Sequence, residues 1–414
     1  MRILLLAPHP FFQERGTPID VLLVLRVLSE RPDTTVDVLT YHEGVDVELP
    51  NIRIHRIRAP RFASGIKPGF SAKKLFCDLL MFFGAWRMAR HGRYDLVHAG
   101  EEAVFIAMAL KRAFGIPYAY DLDSSIAQQM VEKRPALRPF APLFNRLERL
   151  AIRGAMICFP VCMALEDLCR ENGARKTVTL HDISQLANPG AATTGQLRRE
   201  LGIHGVLFLY IGNLESYQGI DLLLESFDLA SAVDPGISLV VIGGAPDDVD
   251  RYRLRAEQMG FGNRCAVLGP RPFGDLDAYL AEADVLVCPR IRGINTPMKV
   301  FPYLHSGRPV LATDIRTHNQ ILTTREAWLV PPHPQEFAAG MLRLAQDPDL
   351  RRRLGEKGRE FVEAGHTFAA HRQRLSEAYD WIRLQIAGAD DSDAAGGNAP
   401  FSCRVDSDSG DART

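Results

Sequence analysis

The sequence has no long apolar run and no excess of charge of one sign. No stretch of about 18 apolar residues occurs in it, so no segment is predicted to span a bilayer. Lysine and arginine number 49 and aspartate and glutamate 50, a net charge of −1. This balance gives no reason to expect a nucleic-acid partner, because such affinity rests on a basic surface. Hydrophobic residues make up 46% of the 414, which excludes wholesale disorder.

Cysteine is scarce and lacks the spacing of metal sites. There are seven cysteines and no Cys-x-x-Cys pair. Cys158, Cys162 and Cys169 lie close together but lack the second half of a zinc ligand set. We therefore predict free, mostly buried thiols in a reducing cytoplasm and no metal site.

What the sequence does contain is two successive series of short apolar runs. The first series comprises residues 2–7, 35–40, 94–99, 117–121 and 155–159. The second comprises residues 206–212, 238–243, 265–268, 284–289, 309–312 and 327–330. Short runs bounded by Gly, Pro or Asp and separated by helical stretches predict buried parallel strands joined by right-handed crossovers. The sequence therefore predicts an α/β fold of two doubly wound domains in series.

The domain boundaries follow from a change in composition. The breaker-rich stretch 187–194 separates the two series and is predicted to be a hinge. We expect a first domain over 1–186, completed by a helix over 367–386, and a second domain over 187–366. The last 28 residues, 387–414, hold six aspartates and little to bury, and this acidic tail is predicted to be disordered. Ligands of open α/β sheets bind at the carboxyl ends of the strands, so we expect a ligand cleft between the domains.

Two glycine turns follow predicted strands of the second domain. Gly212 to Gly219 opens a helix, whose free amide groups suit a phosphate, and Gly243–Gly244 forms a tighter turn. Neither is a GxGxxG or Walker A loop, so dinucleotide binding and P-loop chemistry are not predicted. A plain turn is the alternative for the first and the preferred interpretation of the second.

The stretch 294–312 is the most informative. A helix is predicted to begin at Asn295, and Lys299 lies in its first turn. A lysine there opposes the helix dipole unless an anion is bound nearby. Arg290 and Arg292 precede it, so three positive groups suggest a diphosphate site. A solvated basic loop is the alternative.

Several segments together form a recognisable set. In the second half they read LYIGNLESYQGIDLLLESF, LVVIGGAP, VLGPRPFGDLDAYLAEADVLVCPR, TPMKVFPYLHSGRPVLATD and AWLVPPHPQEFAAGMLRLAQDPDLRRRLGEKG. The first half adds MRILLLAPHPF, RGTPID, YDLVHAGEE and IPYAYDLDSS. Residues 207–365 thereby resemble the donor-binding half of GT-B glycosyltransferases, specifically the large retaining family 4. The resemblance implies two Rossmann-like domains facing a central cleft, with a C-terminal helix that crosses back to the first domain.

Four positions depart from the usual pattern of that family. Its members usually carry an arginine and a lysine against the donor diphosphate where this chain has Asn213 and Gln218. They also carry two glutamates where this chain has Ile294 and Pro302. The resemblance thus implies the fold and the place of the donor site, while the positive charge must come from Lys299 and the arginines before it.

Loops at the strand ends of the first domain are candidates for the acceptor side. The resemblance places Gly16 and Thr17 in a loop that approaches donor and acceptor. Asp121, which ends a predicted strand, and Asp123 are expected to contact an acceptor, with helix capping as the alternative. His9 is a further acceptor-side candidate, and a structural histidine is the alternative there.

Residues 61–93 combine basic and apolar side chains. The segment holds seven lysines or arginines, one acid and the apolar run 75–86. That run is too short to cross a bilayer but suits contact with an anionic membrane surface. A buried helix with a solvated basic flank is the alternative.

These inferences combine into one predicted activity. The protein is predicted to be a retaining glycosyltransferase that moves a sugar from a nucleotide-sugar to a glycan or lipid-linked acceptor in cell-envelope or exopolysaccharide biosynthesis. Asp121 and Lys299 are the predicted catalytic residues, and no obligatory metal or other cofactor is expected. The predicted donor-binding residues are Gly16, Thr17, Gly212, Asn213, Gln218, Gly244, Arg290, Thr296, Pro297 and Lys299.

Two other functions remain open at this point. A nucleotide-sugar epimerase on the same fold would turn over a nucleotide-sugar without an acceptor. A non-catalytic scaffold would have kept the fold and lost the donor contacts. The expected place is the cytoplasm, with the inner face of the cell membrane as its alternative location.

Overall fold

The computed structural model describes residues 1–12, 16–66, 71–133, 135–186, 189 and 195–396. The strands of the first sheet are β1 (Arg2–Ala7), β2 (Thr35–Thr40), β3 (Ile52–Arg56), β4 (Leu96–Gly100), β5 (Tyr118–Leu122) and β6 (Ile157–Pro160). Those of the second sheet are β7 (Val206–Ile211), β8 (Ile237–Ile242), β9 (Cys265–Gly269), β10 (Val285–Cys288), β11 (Val310–Thr313) and β12 (Trp328–Val330).

Helices surround both sheets. Around the first sheet they are α1 (Gly16–Ser29), α2 (Ala72–His91), α3 (Val104–Phe114), α4 (Ile126–Lys133), α5 (Ala141–Gly154) and α6 (Met163–Glu171). Around the second they are α7 (Gln196–Leu201), α8 (Ile220–Val233), α9 (Pro246–Gln258), α10 (Leu276–Glu282), α11 (Val300–His305), α12 (Arg316–Asn319), α13 (Pro334–Gln346) and α14 (Pro348–Gly365). The last helix is α15 (Phe368–Gly396).

Both sheets are parallel and have the same strand order. The first runs β3-β2-β1-β4-β5-β6 and the second β12-β11-β10-β7-β8-β9. The order reverses between β1 and β4 in one sheet and between β7 and β10 in the other. A crevice forms at such a reversal, outside the carboxyl ends of the strands, and ligands bind there. The predicted architecture of two doubly wound domains is confirmed.

One strand, β3, was not predicted from the sequence. β3 lies at the edge of the first sheet, and its residues alternate between half-buried and exposed. Arg53 and His55 point to its exposed side, so the segment lacks the continuous apolar run that marks the central strands. The strands were predicted from continuous apolar runs, which are typical of strands buried on both faces and which an edge strand lacks.

The C-terminal helix returns to the first domain. Leu375, Tyr379 and Ile382 of α15 are buried in the same core as residues of β1 and α1. The helix also runs to Gly396, so 387–396, which we predicted to be disordered, is helical. Extending an existing helix adds one hydrogen bond per residue without a new nucleation cost. The prediction from composition did not take this gain into account. Residues 397–414 lie outside the described part of the chain.

The two crossings between the domains lie side by side. The amide of Ser184 donates to the carbonyl oxygen of His366 over 3.1 Å. His305 Nδ1 lies 2.8 Å from the Ser184 hydroxyl. Most of the predicted hinge 187–194 falls outside the described residues. The first-domain segment before it is therefore tied both to the end of α14 and to α11.

A glycine contact sets how closely α14 approaches the loop after α11. A Cβ built on Gly355 would stand 2.0 Å from the carbonyl oxygen of Gly307. We expect Gly355→Ala to lower the free energy of unfolding by about 1–3 kcal/mol, because neither backbone can yield without moving a helix. Urea unfolding measures this. Gly388→Ala in α15 is the control, since nothing lies within 4 Å of its Cβ position. Equal stability of Gly355→Ala and the wild type would contradict the close approach.

Candidate active site

Lys299 stands at the strand-order reversal of the second sheet. It is the N-cap residue of α11, which begins at Val300 and not near Asn295 as predicted. The carbonyl oxygens of Ile294 and Asn295 accept hydrogen bonds from the side chains of Gln320 and Arg290. They are thus engaged outside any helix, which delays the first turn until Val300.

The Lys299 ammonium group has neutral neighbours. It donates to Tyr210 Oη over 2.7 Å and to Gln218 Oε1 over 3.4 Å, and lies 3.9 Å from the centre of the Tyr210 ring. Tyr210 in turn donates to the Asn213 carbonyl oxygen over 2.6 Å. Among the described residues, no carboxylate forms an ion pair with Lys299. Burial, with the charge of Arg290, lowers the pKa of Lys299 to about 7.

The glycine turns provide the space for this lysine. A Cβ on Gly212 would meet Lys299 Nζ at 2.2 Å. At Gly243, where φ is +112°, a Cβ would meet the Gly212 carbonyl oxygen at 2.2 Å. At Gly244, with φ of +92°, it would strike the Leu214 side chain. The turn after β8 therefore serves the close packing of two loops, in addition to any part in binding.

Arg290 shapes the loop before α11. It is 8% exposed, and it donates to the carbonyl oxygens of Arg292 and Asn295 over 2.9 and 3.3 Å. Its guanidinium lies 5.0 Å from the centre of the Tyr217 ring. Burial lowers the pKa of Arg290. Arg290 thus contributes positive potential from behind the loop, while the Arg292 side chain is exposed.

The remaining donor-side candidates divide into two groups. Thr296 and Pro297 are buried, and Gln320 Nε2 donates to Thr296 Oγ1 over 3.2 Å. Asn213 is exposed, and its Oδ1 accepts from the Glu215 amide over 3.4 Å. Gln218 is buried beside Lys299. The structure thus brings Gly212, Gln218 and Lys299 together, with Thr296 and Pro297 supporting them.

The positions of the two missing glutamates hold apolar side chains. Ile294 packs against the core of the first domain. Pro302 lies within α11, where its carbonyl oxygen accepts from the Ser306 amide over 3.0 Å. Neither side chain can accept a hydrogen bond from a ribose hydroxyl.

A shared side chain links this loop to the first domain. Gln320 donates to the Ile294 carbonyl oxygen over 2.8 Å, and its Oε1 accepts from the Ala164 amide of α6 over 3.0 Å. Cys162, just before α6, lies 3.9 Å from the same carbonyl oxygen through its Sγ. The donor-side loop and the first domain are therefore in direct contact across the cleft.

Across the cleft, Asp121 occupies the end of β5. Its Oδ2 lies 3.3 Å from His98 Nε2, and His98 Nδ1 lies 2.8 Å from Tyr379 Oη. The rings of His98, Phe159 and Tyr379 lie nearly parallel, with each pair of centres about 6 Å apart. Sequence analysis missed His98 because it lies inside a strand, where a histidine among apolar residues gives no separate signal.

Three further carboxyl groups surround Asp121. Burial and the charge of Asp121 raise the pKa of Asp20 and Asp123 well above the usual range and that of Asp182 to about 7. Asp20 and Asp182 share a hydrogen bond. Asp20 and Asp182 were not predicted, since one lies within α1 and the other in a connecting segment far along the chain. Only the fold brings them to Asp121.

The other first-domain candidates lie around this group. Thr17 Oγ1 donates to Glu101 Oε1 over 3.4 Å and hydrogen-bonds to Asp123. Gly16, with φ of +41°, begins α1 and is exposed. His9 Nδ1 lies 3.3 Å from the Pro10 carbonyl oxygen. Thr17 thus lies beside Glu101 and Asp123, and the predicted donor contact of Gly16 and Thr17 stays a prediction.

Two family descriptions match the chain, one for each half. "Glycosyl transferase 4-like domain" matches residues 15–181 and "Glycosyl transferases group 1" residues 196–361. Together they cover about four fifths of the sequence.

Named relatives are similar over different lengths. The D-inositol 3-phosphate glycosyltransferase of Corynebacterium diphtheriae is 28% identical over 92% of this chain and 93% of its own length. That of Corynebacterium glutamicum is 31% identical, but the match spans only about half of each chain, 47% here and 49% there. The alpha-D-kanosaminyltransferase of Streptomyces kanamyceticus is 21% identical over 68% of this chain and 75% of that one.

Solved structures share the fold at low sequence identity. A sucrose-phosphate synthase from Thermosynechococcus elongatus has a TM-score of 0.74 and 21% identity over 93% of this chain and 99% of that one. The Anabaena protein HepE in complex with UDP has a TM-score of 0.72 and 16% identity over 92% of this chain and 100% of that one. With a glycosyltransferase domain matched in each half and structural neighbours of the same fold, the chain is a glycosyltransferase of GT-B fold that combines a glycosyl transferase 4-like domain with a glycosyl transferases group 1 domain.

Proposed function

We propose that the protein takes its sugar from a uridine-diphosphate sugar bound at Lys299 and transfers it to an acceptor bound against the first domain. The observation that carries this is the half-buried Lys299 ammonium, which has neutral partners at the strand-order reversal of the second sheet. UDP is the proposed nucleotide because HepE was solved with UDP and with UDP-glucose. An Escherichia coli neighbour was likewise solved with UDP-2-fluoro glucose. The named relatives are glycosyltransferases, which favours transfer over epimerisation.

In this proposal the second domain stabilises the leaving diphosphate. Negative charge grows on the phosphate as the bond to the sugar breaks, and Lys299 is positioned to neutralise it. Tyr210 and Gln218 hold the ammonium in place, and Arg290 adds positive potential from behind. With two protein cations at this place we propose that no obligatory metal is needed. Activity that persists in EDTA would support this.

The first domain would hold the acceptor beside the sugar. Asp121, positioned by His98, is the proposed contact for the attacking hydroxyl. We propose transfer with retention of the anomeric configuration, by front-face attack in which a donor phosphate oxygen receives the proton. Likeness to a retaining family supports retention, and the product anomer read by NMR tests it. Close contact of the domains around Gln320 would exclude water during the reaction.

Surface features support an acceptor at a membrane. α2 buries one face and leaves Leu75, Leu79 and Phe83, each more than half exposed, in a stripe at four-residue spacing. The exposed basic side chains of this helix are Lys73, Arg87 and Arg90. α5 exposes a second leucine stripe, at 143, 147 and 150, next to further arginines. In the described residues no helix has the length and apolar character required to cross a bilayer.

From these faces we propose peripheral contact with an anionic membrane and a glycan or lipid-linked acceptor of cell-envelope or exopolysaccharide biosynthesis. The free thiols of the described cysteines suit a reducing compartment, so we propose the cytoplasmic side of the membrane. Charge attraction and burial of the apolar stripe would act together there.

The first prediction concerns the donor. Lys299→Met should weaken UDP-glucose binding by at least about tenfold, because a charged hydrogen bond to the diphosphate is lost. Calorimetry measures the affinity. Lys357→Met, at an exposed lysine paired with Glu360 in α14, is the matched control and should bind as the wild type does. Unchanged affinity in Lys299→Met would place the diphosphate elsewhere.

A second prediction follows from the pKa of Lys299 near 7 in the ligand-free protein. Bound diphosphate favours the protonated lysine, so binding above that pKa must take up a proton. Affinity for UDP-glucose, whose phosphates stay ionised, should be level below about pH 7 and fall by up to tenfold per pH unit above it. Titrations between about pH 6 and 9 test this, and Lys299→Met should lose the slope. A wild-type affinity independent of pH would contradict the assignment.

The third prediction concerns the membrane face. The wild type should sediment with vesicles of phosphatidylglycerol and not with those of phosphatidylcholine. The double variant Leu79→Glu with Phe83→Glu should reduce sedimentation by at least about tenfold, since it places two anions on the apolar stripe. Val233→Glu, an exposed apolar position of α8 in the second domain, is the control. Equal binding of wild type and double variant would reject α2 as the contact.

A further inference from the structure

Four carboxyl groups at the carboxyl edge of the first sheet form what we call the acid pocket: Asp20, Asp121, Asp123 and Asp182. We propose that the acid pocket binds the protonated amine of the acceptor, so that the acceptor is an amino sugar or another polyol bearing an ammonium group. The proposal rests on the proposed function in placing the acceptor here. The amine-bearing unit is the shared chemistry, whether it is free or ends a glycan or lipid-linked chain.

The acid pocket is assembled from separate elements. Asp20 comes from α1, Asp121 and Asp123 from the end of β5, and Asp182 from the segment after α6. Asp20 and Asp182 share a hydrogen bond, and the charge of Asp121 acts on both. Asp182 also acts electrostatically on Cys162, whose thiol contacts Thr296 across the cleft. The pocket therefore faces the donor-side loop.

No protein cation neutralises these carboxyls in the described residues. In the described part of the chain, no lysine or arginine forms an ion pair with Asp20, Asp123 or Asp182. The ion-pair partner of Asp121 there is His98. Asp37, a comparably buried carboxylate elsewhere in the domain, shows the usual arrangement: Arg2, His55 and Tyr94 all hydrogen-bond to it. Without a cation beside them these carboxyls favour the protonated form, as their raised pKa values show. A ligand ammonium group would favour their ionised form and pair with it.

A metal ion fits this pocket less well than an ammonium group. Within the described ranges, no set of histidine, cysteine, aspartate or glutamate side chains is arranged to hold a metal ion. An ammonium group donates three hydrogen bonds to oxygens spread over a wider space than a coordination shell. The three parts of the fold that supply the four carboxyls offer such spread acceptors.

His371 gives an independent sign of a ligand. It is 6% exposed, and neither ring nitrogen has a hydrogen-bond partner. It lies on α15 at four-residue spacing from Leu375 and Tyr379, and so on the face that meets the sheet. Tyr379 reaches Asp121 through His98, and the Asp121 charge acts on His371 as well.

Asp182 Oδ1 is a second buried atom without a partner. Buried polar atoms are rarely left unpaired, because each costs about 1–3 kcal/mol. A polyol hydroxyl can bond to a neutral imidazole nitrogen, and an ammonium group can donate to Asp182. A ligand that carries both groups satisfies both atoms. It also brings the positive charge that a neutral sugar lacks and the hydroxyl that a bare cation lacks.

The test compares three small probes by calorimetry on the full chain without nucleotide. Glucosamine carries the ammonium group, N-acetylglucosamine replaces it with a neutral amide, and glucose replaces it with a hydroxyl. We expect glucosamine to bind at least about tenfold tighter than either. Because a hydroxyl and an ammonium group are nearly the same size, size cannot explain a preference for glucosamine over glucose.

Variants locate the binding. Asp182→Asn and Asp123→Asn should each weaken glucosamine binding by at least about fivefold, and Glu257→Gln, an exposed glutamate of α9, should not. Their melting temperatures should equal or exceed that of the wild type, because each substitution removes like-charge repulsion. That outcome separates lost binding from misfolding, and Asp20→Asn provides a second variant at the shared hydrogen bond.

Two results would overturn the proposal. One is equal affinity for all three probes. The other is stabilisation by Mg²⁺ or Ca²⁺ alone, abolished in Asp182→Asn, with none by glucosamine. Titration of UDP-glucose into the same variants distinguishes a failure of the acid pocket from a failure of the proposed donor site. If UDP-glucose binds and glucosamine does not, only the acid pocket is rejected. If glucosamine binds and UDP-glucose does not, only the proposed donor site is rejected.

Discussion

Burial of charge without an opposite charge beside it is the constraint on which the cleft depends. On the second domain a lysine has only a tyrosine, a glutamine and the peptide dipoles around it, and burial lowers its pKa to about 7. On the first domain four carboxyls share one pocket, and burial raises the pKa of three of them. Each group is less stable there than in water. Substrate charges of opposite sign would stabilise both the lysine and the carboxyls. Binding would thereby offset the free energy that the fold loses by burying these groups.

The neutral residues at the family's usual charged positions fit this arrangement. Gln218 accepts a hydrogen bond from Lys299 over 3.4 Å. A lysine at 218 would place a second ammonium beside the first and force one to lose its proton or leave the site. The glutamine is therefore the side chain that lets Lys299 remain at the reversal point. Its neutrality marks a different distribution of positive charge rather than the loss of a donor site.

The sequence was sufficient for the fold and for part of the site. Central strands are continuous apolar runs, so eleven of the twelve strands in the described part of the chain could be located, and only the edge strand β3 could not. Lys299 was found because a cation in a predicted first helical turn suggests a bound anion, and Asp121 because it ends a predicted strand. His98, Asp20 and His371 were not, since a strand interior and two helices give no local sign of a site. These residues come together only through tertiary packing, above all through the contact between Tyr379 of α15 and His98.

The contact between the domains explains why the donor loop has its unusual shape. The Gln320 side chain bonds at once to Ile294 and Thr296 of that loop and to Ala164 of the first domain. Ile294, apolar where relatives usually carry glutamate, packs into the first domain's core. The loop before Lys299 is thus built partly by the opposite domain. A movement that parts the domains must break these bonds and shift the residues leading to Lys299. In the proposed function, domain closure would for that reason also place the cation, and the first domain would take part in forming the donor site.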